Sequence, residues 1–358
     1  MVVYSLKKKS ILVHASNVTG LGASQVVGSL IRALKLKEKD MFVASPVDGA
    51  LSTLNTAMCG FVWVRRILPN SLFRVLECLL PKLFYPSIEN NLILGDIPLR
   101  GLKNQLVLVH QSNLIKPSVN CYSSKSMTFK IMRKIFEWNL KYVKYIIVQS
   151  EVMKEGLTQS YPELKGIIKV ITQPAPNCSS RLEQKKLEYN GALTLFYPAA
   201  GYPHKNHLFI AALEKHGGMN DSVKELFLTL RDNEVVNVFP KDSKVHNVGL
   251  LPYYECINYY QSVDALFFPS TAESYGLPLL EAMQAGLPIL CSDLPYARWM
   301  CGEEAIYFDP TDVESATTGI KELQARLKQG WRPDWTQALS KFPEDWDNVA
   351  QEFVELLE

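Results

Sequence analysis

The residues best suited to chemistry lie in one stretch, ALFFPSTAESYGLPLLEAMQAGLPILCSD, residues 265–293. An apolar strand, ALFFP, ends at Pro269 and a polar loop, STAESYG, follows it. A helix then opens with Pro278 near its first turn and stops at Gly286. Glu273 stands in the loop and Glu281 in the helix, eight positions apart. The bare Glu-x7-Glu spacing carries no weight, because glutamates are common. Its context does. Ser274, Tyr275, Gly276 and Leu277 form the turn before the helix, where free backbone N–H groups can meet a phosphate. Carboxylates beside such a turn suit hydrogen bonds from sugar hydroxyls. A surface loop followed by a core helix is the plainer reading, but it leaves two glutamates around a glycine-containing helix start unexplained.

Three other positions could join this chemistry. In LTLFYPAAGYPHKNHLFIAAL a strand runs into a loop, and a helix begins near Asn206. Lys205 lies at the mouth of that helix, where a lysine can neutralise a diphosphate and His204 can add a donor. By spacing alone a solvated lysine is the commoner outcome. Near the start, ILVHASNVTGLGASQVVGSLIRAL places Gly20 and Gly22 in the turn between a strand and a helix. Such a turn brings backbone N–H groups close to an anion, or is merely tight; the third glycine of the dinucleotide fingerprint is missing. His110 ends the apolar strand LVLVH and the polar QSN follows. Ligands of open α/β sheets bind beyond the carboxyl ends of strands, which favours a site role for it. His14, one residue further into its strand, reads as a buried, satisfied histidine.

These positions need a scaffold, and the chain supplies one twice. Short apolar runs at Ser10–Ala15, Met41–Ala44, Leu92–Leu94, Gln105–His110, Tyr145–Gln149 and Ile167–Ile171 alternate with amphipathic stretches such as Ser24–Lys35 and Met127–Tyr142. A second series runs through Leu193–Tyr197, Glu225–Thr229, Val245–Val248, Ala265–Phe268, Pro288–Cys291 and Ala305–Phe308. Helical periodicity at Asn206–Lys215, Tyr253–Gln261 and Pro278–Gln284 fills gaps in that series, and Glu344–Glu358 reads as a last amphipathic helix. Alternation of strand and helix means parallel sheets with helices on both faces, so the fold class is α/β with two doubly wound domains. We expect a first domain over 1–176, a linker over 177–191, a second domain over 192–337 and a closing helical segment over 338–358.

The 358 residues, 47% apolar and 21% charged, exclude wholesale disorder and a small disulfide scaffold. The net charge of +2 conceals a polarity: residues 1–186 carry +15 and residues 187–358 carry −13. The basic half favours an anionic surface or ligand. Seven cysteines without a C-x-x-C pair suggest unpaired thiols in a reducing compartment. The opening MVVYSLKKKSILVHAS is too short in apolar residues for a signal peptide, and no run reaches the ~18 apolar residues of a membrane span.

ESYGLPLLEAMQAGLPIL resembles the Glu-x7-Glu motif of the retaining family-4 glycosyltransferases, which have the GT-B fold of two Rossmann-like domains facing a central cleft. The resemblance covers most of the chain and is clearest over Leu193–Ile320. It includes PHKN, VDALFFPS, SDLPYAR and YFDPTD, and more loosely TGLG, LVLVHQS and YIIVQSEVMKEGL in the first half. The segment beginning Trp346–Asp347 is similar to the family's last helix, which crosses back onto the first domain. Carried onto this chain, the resemblance gives Glu273 the donor-sugar hydroxyls and Glu281 the ribose hydroxyls. It gives Ser274 to Leu277 the donor phosphates through their backbone, Lys205 the diphosphate, and His110 a place near the transferred sugar. Gly22 matches the glycine turn facing the phosphates from the other side. Two departures stand out. Ala199 and Ala200 occupy positions where many members have Gly-Arg, which removes a cation that His204 could partly replace, with a charge set by pH. Trp299 follows Arg298 where a glutamate is common.

The resemblance implies transfer of a hexose from a UDP- or GDP-linked donor to a hydroxyl of a saccharide acceptor. Stereochemistry would be retained, and Lys205 and the helix N-termini would oppose the charge of the leaving diphosphate. No metal and no cofactor beyond the nucleotide sugar are expected. Phe61–Pro86 and Ser126–Tyr145 mix basic with large apolar residues, among them Phe129, Met132, Phe136, Leu140 and Val143 at helical spacing beside Lys130, Arg133, Lys134, Lys141 and Lys144. Each helix alone reads as an ordinary core with a solvated basic rim; together with the +15 of the first half they suggest contact with an anionic membrane surface and a lipid-linked saccharide acceptor, as in bacterial O-antigen or capsule assembly. The expected place is the cytoplasm, peripheral on the inner face of the cytoplasmic membrane. Three other readings compete: a nucleotide-sugar epimerase or phosphorylase on the same fold, a non-catalytic partner or binding subunit, and a nucleic-acid binder. The Glu-x7-Glu context opposes the first. The intact Glu273, Glu281, Lys205 and His110 oppose the second. The third lacks any recognised nucleic-acid motif, so nucleic acid is not an expected partner.

Overall fold

The computed structural model describes residues 11–37, 41–46, 51, 62–64, 70–86, 88–174, 191–231, 234, 239 and 242–358. The linker expected over 177–191 lies outside them except for Gly191, as do Cys59 and Cys178. The chain divides into two compact units: Met1–Pro174 with Pro343–Glu358, and Ala175–Phe342.

In the first unit, strands β1 (Ile11–His14), β2 (Met41–Pro46), β3 (Val62–Val64), β4 (Asn90–Ile93), β5 (Gln105–Val109), β6 (Val143–Val148) and β7 (Ile168–Val170) form a parallel sheet. Their order is β3-β2-β1-β4-β5-β6-β7, with His14 in register with Ala44 on one side and Ile93 on the other. Helices α1 (Leu21–Leu36), α2 (Asn70–Leu79), α3 (Met127–Asn139) and α4 (Glu151–Ser160) cover it. Alternate residues of a strand face opposite ways, and the two cores divide accordingly. Ile11, Val13, Leu92, Leu106 and Ile147 enter the core that holds α1, while Leu12, Ile93, Val107 and Ile146 enter the one that holds Phe136 of α3 and Leu157 of α4. Burial on both faces is why these strands read as unbroken apolar runs.

The second unit repeats the plan. Strands β8 (Leu193–Tyr197), β9 (Val223–Leu228), β10 (Val245–Asn247), β11 (Ala265–Phe268), β12 (Ile289–Ser292) and β13 (Ile306–Phe308) form a parallel sheet in the order β10-β9-β8-β11-β12-β13. Helices α5 (His207–Lys215), α6 (Tyr253–Ser262), α7 (Leu277–Gln284), α8 (Pro295–Cys301), α9 (Val313–Lys328) and the short α10 (Thr336–Leu339) complete it. Trp335 and Ala338 are buried in this unit's core, so the chain leaves it at Phe342, later than residue 338 where the sequence placed the change.

The last helix, α11 (Trp346–Leu357), belongs to the first unit. Asp345 caps it by accepting from the Asn348 amide at 3.0 Å. Its buried stripe, Val349, Ala350, Phe353, Val354 and Leu357, packs on α1, and Lys144 Nζ donates to the Leu356 carbonyl at 2.9 Å. Among the described residues no helix is long and apolar enough to cross a membrane.

Candidate active site

In the second unit the strand order reverses between β8 and β11, the place where open α/β sheets bind ligands. The loops leaving these two strands carry Lys205 and Glu273. Lys205 Nζ lies 2.5 Å from Glu273 Oε1, and both side chains are largely buried. Tyr197, the last residue of β8, holds the lysine's backbone by donating its hydroxyl to the Lys205 carbonyl at 2.9 Å. Asn206 follows in the left-handed region, at φ 60°, and its side-chain amide donates to the Pro269 and Pro310 carbonyls at 3.2 and 3.0 Å. On the other loop, the Ser270 hydroxyl sits 2.6 Å from Glu273 Oε1 and 3.1 Å from the His204 carbonyl. The Thr271 amide also donates to that carbonyl, at 2.7 Å. The two loops are therefore fastened together through His204, and the lysine and the glutamate are presented as a pair.

His204 stacks on Tyr202 with ring centroids 5.7 Å apart. Burial holds its pKa below the ordinary histidine value and Lys205 lowers it further, against the opposing pull of Glu273. A neutral imidazole at pH 7 is a hydrogen-bonding group, not a replacement cation. The Ala200 carbonyl is 3.1 Å from His207 Nε2, and the Gly201 amide donates to Glu234 at 3.1 Å.

Gly276 starts α7 at φ 93°, ψ 53°, a conformation that costs other residues. Pro278 carries no N–H and the Leu279 amide donates back to the Gly276 carbonyl at 2.9 Å, so the Leu277 N–H is the one that the helix itself does not satisfy. Tyr275 is buried and Ser274 and Leu277 are half-buried, so what this turn can offer a ligand is its backbone. Glu281, one turn further into α7, is buried and accepts from the Tyr260 hydroxyl at 2.7 Å. Burial raises its carboxyl to about 7, against the opposing Tyr260 hydrogen bond.

The other two sequence-derived positions belong to the first unit. Gly22 is exposed inside the first turn of α1, and Gly20, not a longer loop, is the residue that precedes that helix. His110 follows β5 directly. Its amide donates to Asp96 Oδ1 at 2.8 Å and its Nε2 lies 3.6 Å from Asp96 Oδ2. Asp96, buried at φ 69° just past β4, was missed by sequence reasoning. Its signal was an acid in a Gly-Asp pair beyond a strand end. His14 is buried as expected, but in a polar cluster. Its Nε2 is 3.1 Å from both Ser16 Oγ and Glu77 Oε1, and Tyr85 donates to the same Glu77 oxygen. Burial alone would raise the Glu77 carboxyl; His14 and the hydrogen bonds from His14, Ser16 and Tyr85 outweigh it and bring it down to about 2.

Trp299 also finds its reason. Its ring meets Tyr275 at 6.2 Å and Phe342 at 5.9 Å between centroids, and Lys341 Nζ lies over it at 5.5 Å.

Residues 241–327 match the family described as "Glycosyl transferases group 1". The matched stretch contains Glu273, the 274–277 turn and Glu281. The chain is 29% identical over 269 residues to the "O-antigen chain mannosyltransferase RfbU" of Salmonella typhimurium, covering 71% of this chain and 69% of the relative. Its fold is that of a sucrose-phosphate synthase from Thermosynechococcus elongatus, with a TM-score of 0.66, 15% identity, and coverage of 97% and 98% of the two chains. It is also that of WaaG, "a glycosyltransferase involved in lipopolysaccharide biosynthesis", with a TM-score of 0.61, 12% identity and coverage of 97% and 95%. The chain thus has two parallel-sheet units of GT-B type, and its segment around Glu273 and Glu281 matches the group 1 glycosyltransferase family.

Proposed function

We propose that the chain is a retaining family-4 enzyme that moves a hexose from a nucleotide-diphosphate donor to a hydroxyl of a saccharide acceptor in surface-polysaccharide assembly. The observation that carries this reading is the Lys205–Glu273 pair beside the N-terminus of α7. With the donor bound, Lys205 turns to the diphosphate and releases Glu273 to the sugar hydroxyls. The Ser274–Leu277 backbone adds N–H groups to the phosphates and Glu281 takes the ribose hydroxyls. As the anomeric carbon–oxygen bond breaks, negative charge grows on the diphosphate, and a fixed cation with oriented N–H groups stabilises it most at that moment. His110, held by Asp96, and the Gly20–Gly22 turn of the first unit serve the transferred sugar and the phosphates. The donor is the whole non-protein requirement; no metal takes part. RfbU is named for mannose, which makes a GDP- or UDP-linked hexose of that type the first donor to try.

The acceptor is a lipid-linked saccharide, met at an anionic membrane surface on the cytoplasmic side. Support comes from α3, through Lys130 and Lys134 as the sequence suggested but through different apolar side chains. Phe136 and Leu140 are buried in the core. Arg133 is buried too, donating to the Asn113 and Ser124 carbonyls at 2.6 and 2.8 Å. Met127, Ile131 and Trp138 are the exposed apolar residues, at 67%, 46% and 61%, on one stripe with the exposed Lys130 and Lys134. A groove of about 430 Å³ beside them is lined by Lys116, Lys125, Lys130 and Lys134 among others.

The test is nucleotide release from a panel of UDP-, GDP- and ADP-sugars with a crude lipid-saccharide acceptor. Release from one donor is expected, with a loss of at least a hundredfold in Glu273→Ala. A stably folded Glu273→Ala with undiminished turnover overturns the assignment.

A further inference from the structure

Tyr275 is buried, immediately before the left-handed Gly276, and its ring is one corner of a closed aromatic triangle. Tyr275 meets Phe342 at 6.0 Å and 87°, and Trp299 at 6.2 Å and 50°. Trp299 and Phe342 meet each other at 5.9 Å and 81°. Edge-to-face contacts of this kind fix ring orientation as well as burying area. Lys341, next to Phe342, closes the arrangement. Its Nζ donates to the Trp299 carbonyl at 2.5 Å and to that of Met300 at 3.3 Å, at the C-terminal end of α8, and lies over the Trp299 and Phe342 rings. A cation on the last carbonyls of a helix is well placed electrostatically. The three corners come from three separate places in the chain: the turn before α7, the body of α8, and the residue after which the chain leaves the second unit.

We propose that Trp299 and Phe342 are positioning residues for the donor turn, holding Tyr275 so that the 274–277 backbone keeps one conformation before a nucleotide arrives. The inference rests on the donor reading above. Neither residue touches the donor; each acts through Tyr275. A turn with a left-handed glycine at its end has other conformations open to it, and a ligand that uses its N–H groups must first select one. Fixing it beforehand removes that cost from binding. A glutamate at 299 makes no ring contact, so in this chain the turn is locked by packing. The same triangle anchors the residue at which the chain passes out of the unit, so looseness there reaches the donor turn directly.

The test uses the full chain with UDP and GDP as probes, titrated by calorimetry, and amide hydrogen exchange over 272–280. In Trp299→Ala, affinity for whichever diphosphate the wild type binds is expected to fall tenfold or more, with faster exchange in 272–280. Trp299→Phe is expected to restore binding to within threefold of wild type. Should Trp299→Ala not fold, Trp299→Leu keeps an apolar side chain without the ring and decides in its place. Wild-type affinity and wild-type exchange in a folded Ala or Leu variant overturn the inference. Wild-type protein that binds neither nucleotide, with Glu281→Ala no different, overturns the donor reading and this inference with it.

Discussion

Two buried glutamates in this chain respond to pH in opposite directions. Glu281 is raised to about 7 by burial, so its protonated form favours the folded state. Stability from this group is complete below the unfolded value of 4.5 and is lost as pH rises toward 7. Glu77 is lowered to about 2, so its contribution is complete above 4.5 and is lost as pH falls toward 2. Glu281→Gln should therefore unfold at a higher temperature than wild type at pH 8 but not at pH 4.5. The difference is on the order of 3 kcal/mol, the worth of the pKa shift. Thermal unfolding across pH 4 to 8 measures it; a constant difference would show that Glu281 is not held protonated. On the donor reading proposed above, ribose hydroxyls donate to this carboxylate and favour its charged form, so nucleotide binding near pH 7 should release a proton. Glu273 and Glu281 could be found from sequence because a loop and a helix start frame them. The partners were less legible: Tyr260 of α6 meets Glu281, and Asp96 beyond β4 meets His110 beyond β5, only once the chain folds.

At the level of elements, strands were more legible than what joins them. β8 and β11 stand at the limits read from the sequence, since each is a short apolar run that ends in a polar loop. β3 was hidden. It is three residues long, and its apolar pattern continues into basic sequence that reads as one surface segment. On α3 helical spacing found the helix but left open whether its apolar residues face a core or a membrane. Phe136 and Leu140 repeat at the helical period because they fill the core, while Met127, Ile131 and Trp138 form the outer stripe. Spacing alone gives the period of a face and not its direction. α11 was read correctly as amphipathic, and its attachment can be weighed. Phe353 is 1% exposed, against α1. Phe353→Ala should cost about 3–5 kcal/mol by opening a cavity there. Denaturant unfolding of the full chain measures this, and a loss below 1 kcal/mol would mean that α11 is not part of the first unit's core.

For the whole molecule, the charge polarity of the sequence falls largely along the division into units. The basic first unit also carries the exposed Met127, Ile131 and Trp138. Each cation held near an anionic bilayer is worth about 1 kcal/mol, and tryptophan suits the headgroup region. The protein should co-float with anionic vesicles at low salt and be released by 0.5 M salt. Trp138→Ala together with Lys130→Ala and Lys134→Ala should weaken binding at least tenfold without changing the unfolding temperature. Equal binding to neutral vesicles would remove the electrostatic part of the argument, and no binding to either would remove the membrane from the proposal.

The first unit is built from two stretches with the whole second unit between them. Synthesis from the N-terminus makes β1 to β7 early and α11 late. Until α11 emerges, the side of α1 that it covers faces solvent or a chaperone. The second unit is contiguous and meets no such delay. On the ribosome it should become protease-resistant while the first unit is still open, so the half of the molecule that begins first is the half that finishes last.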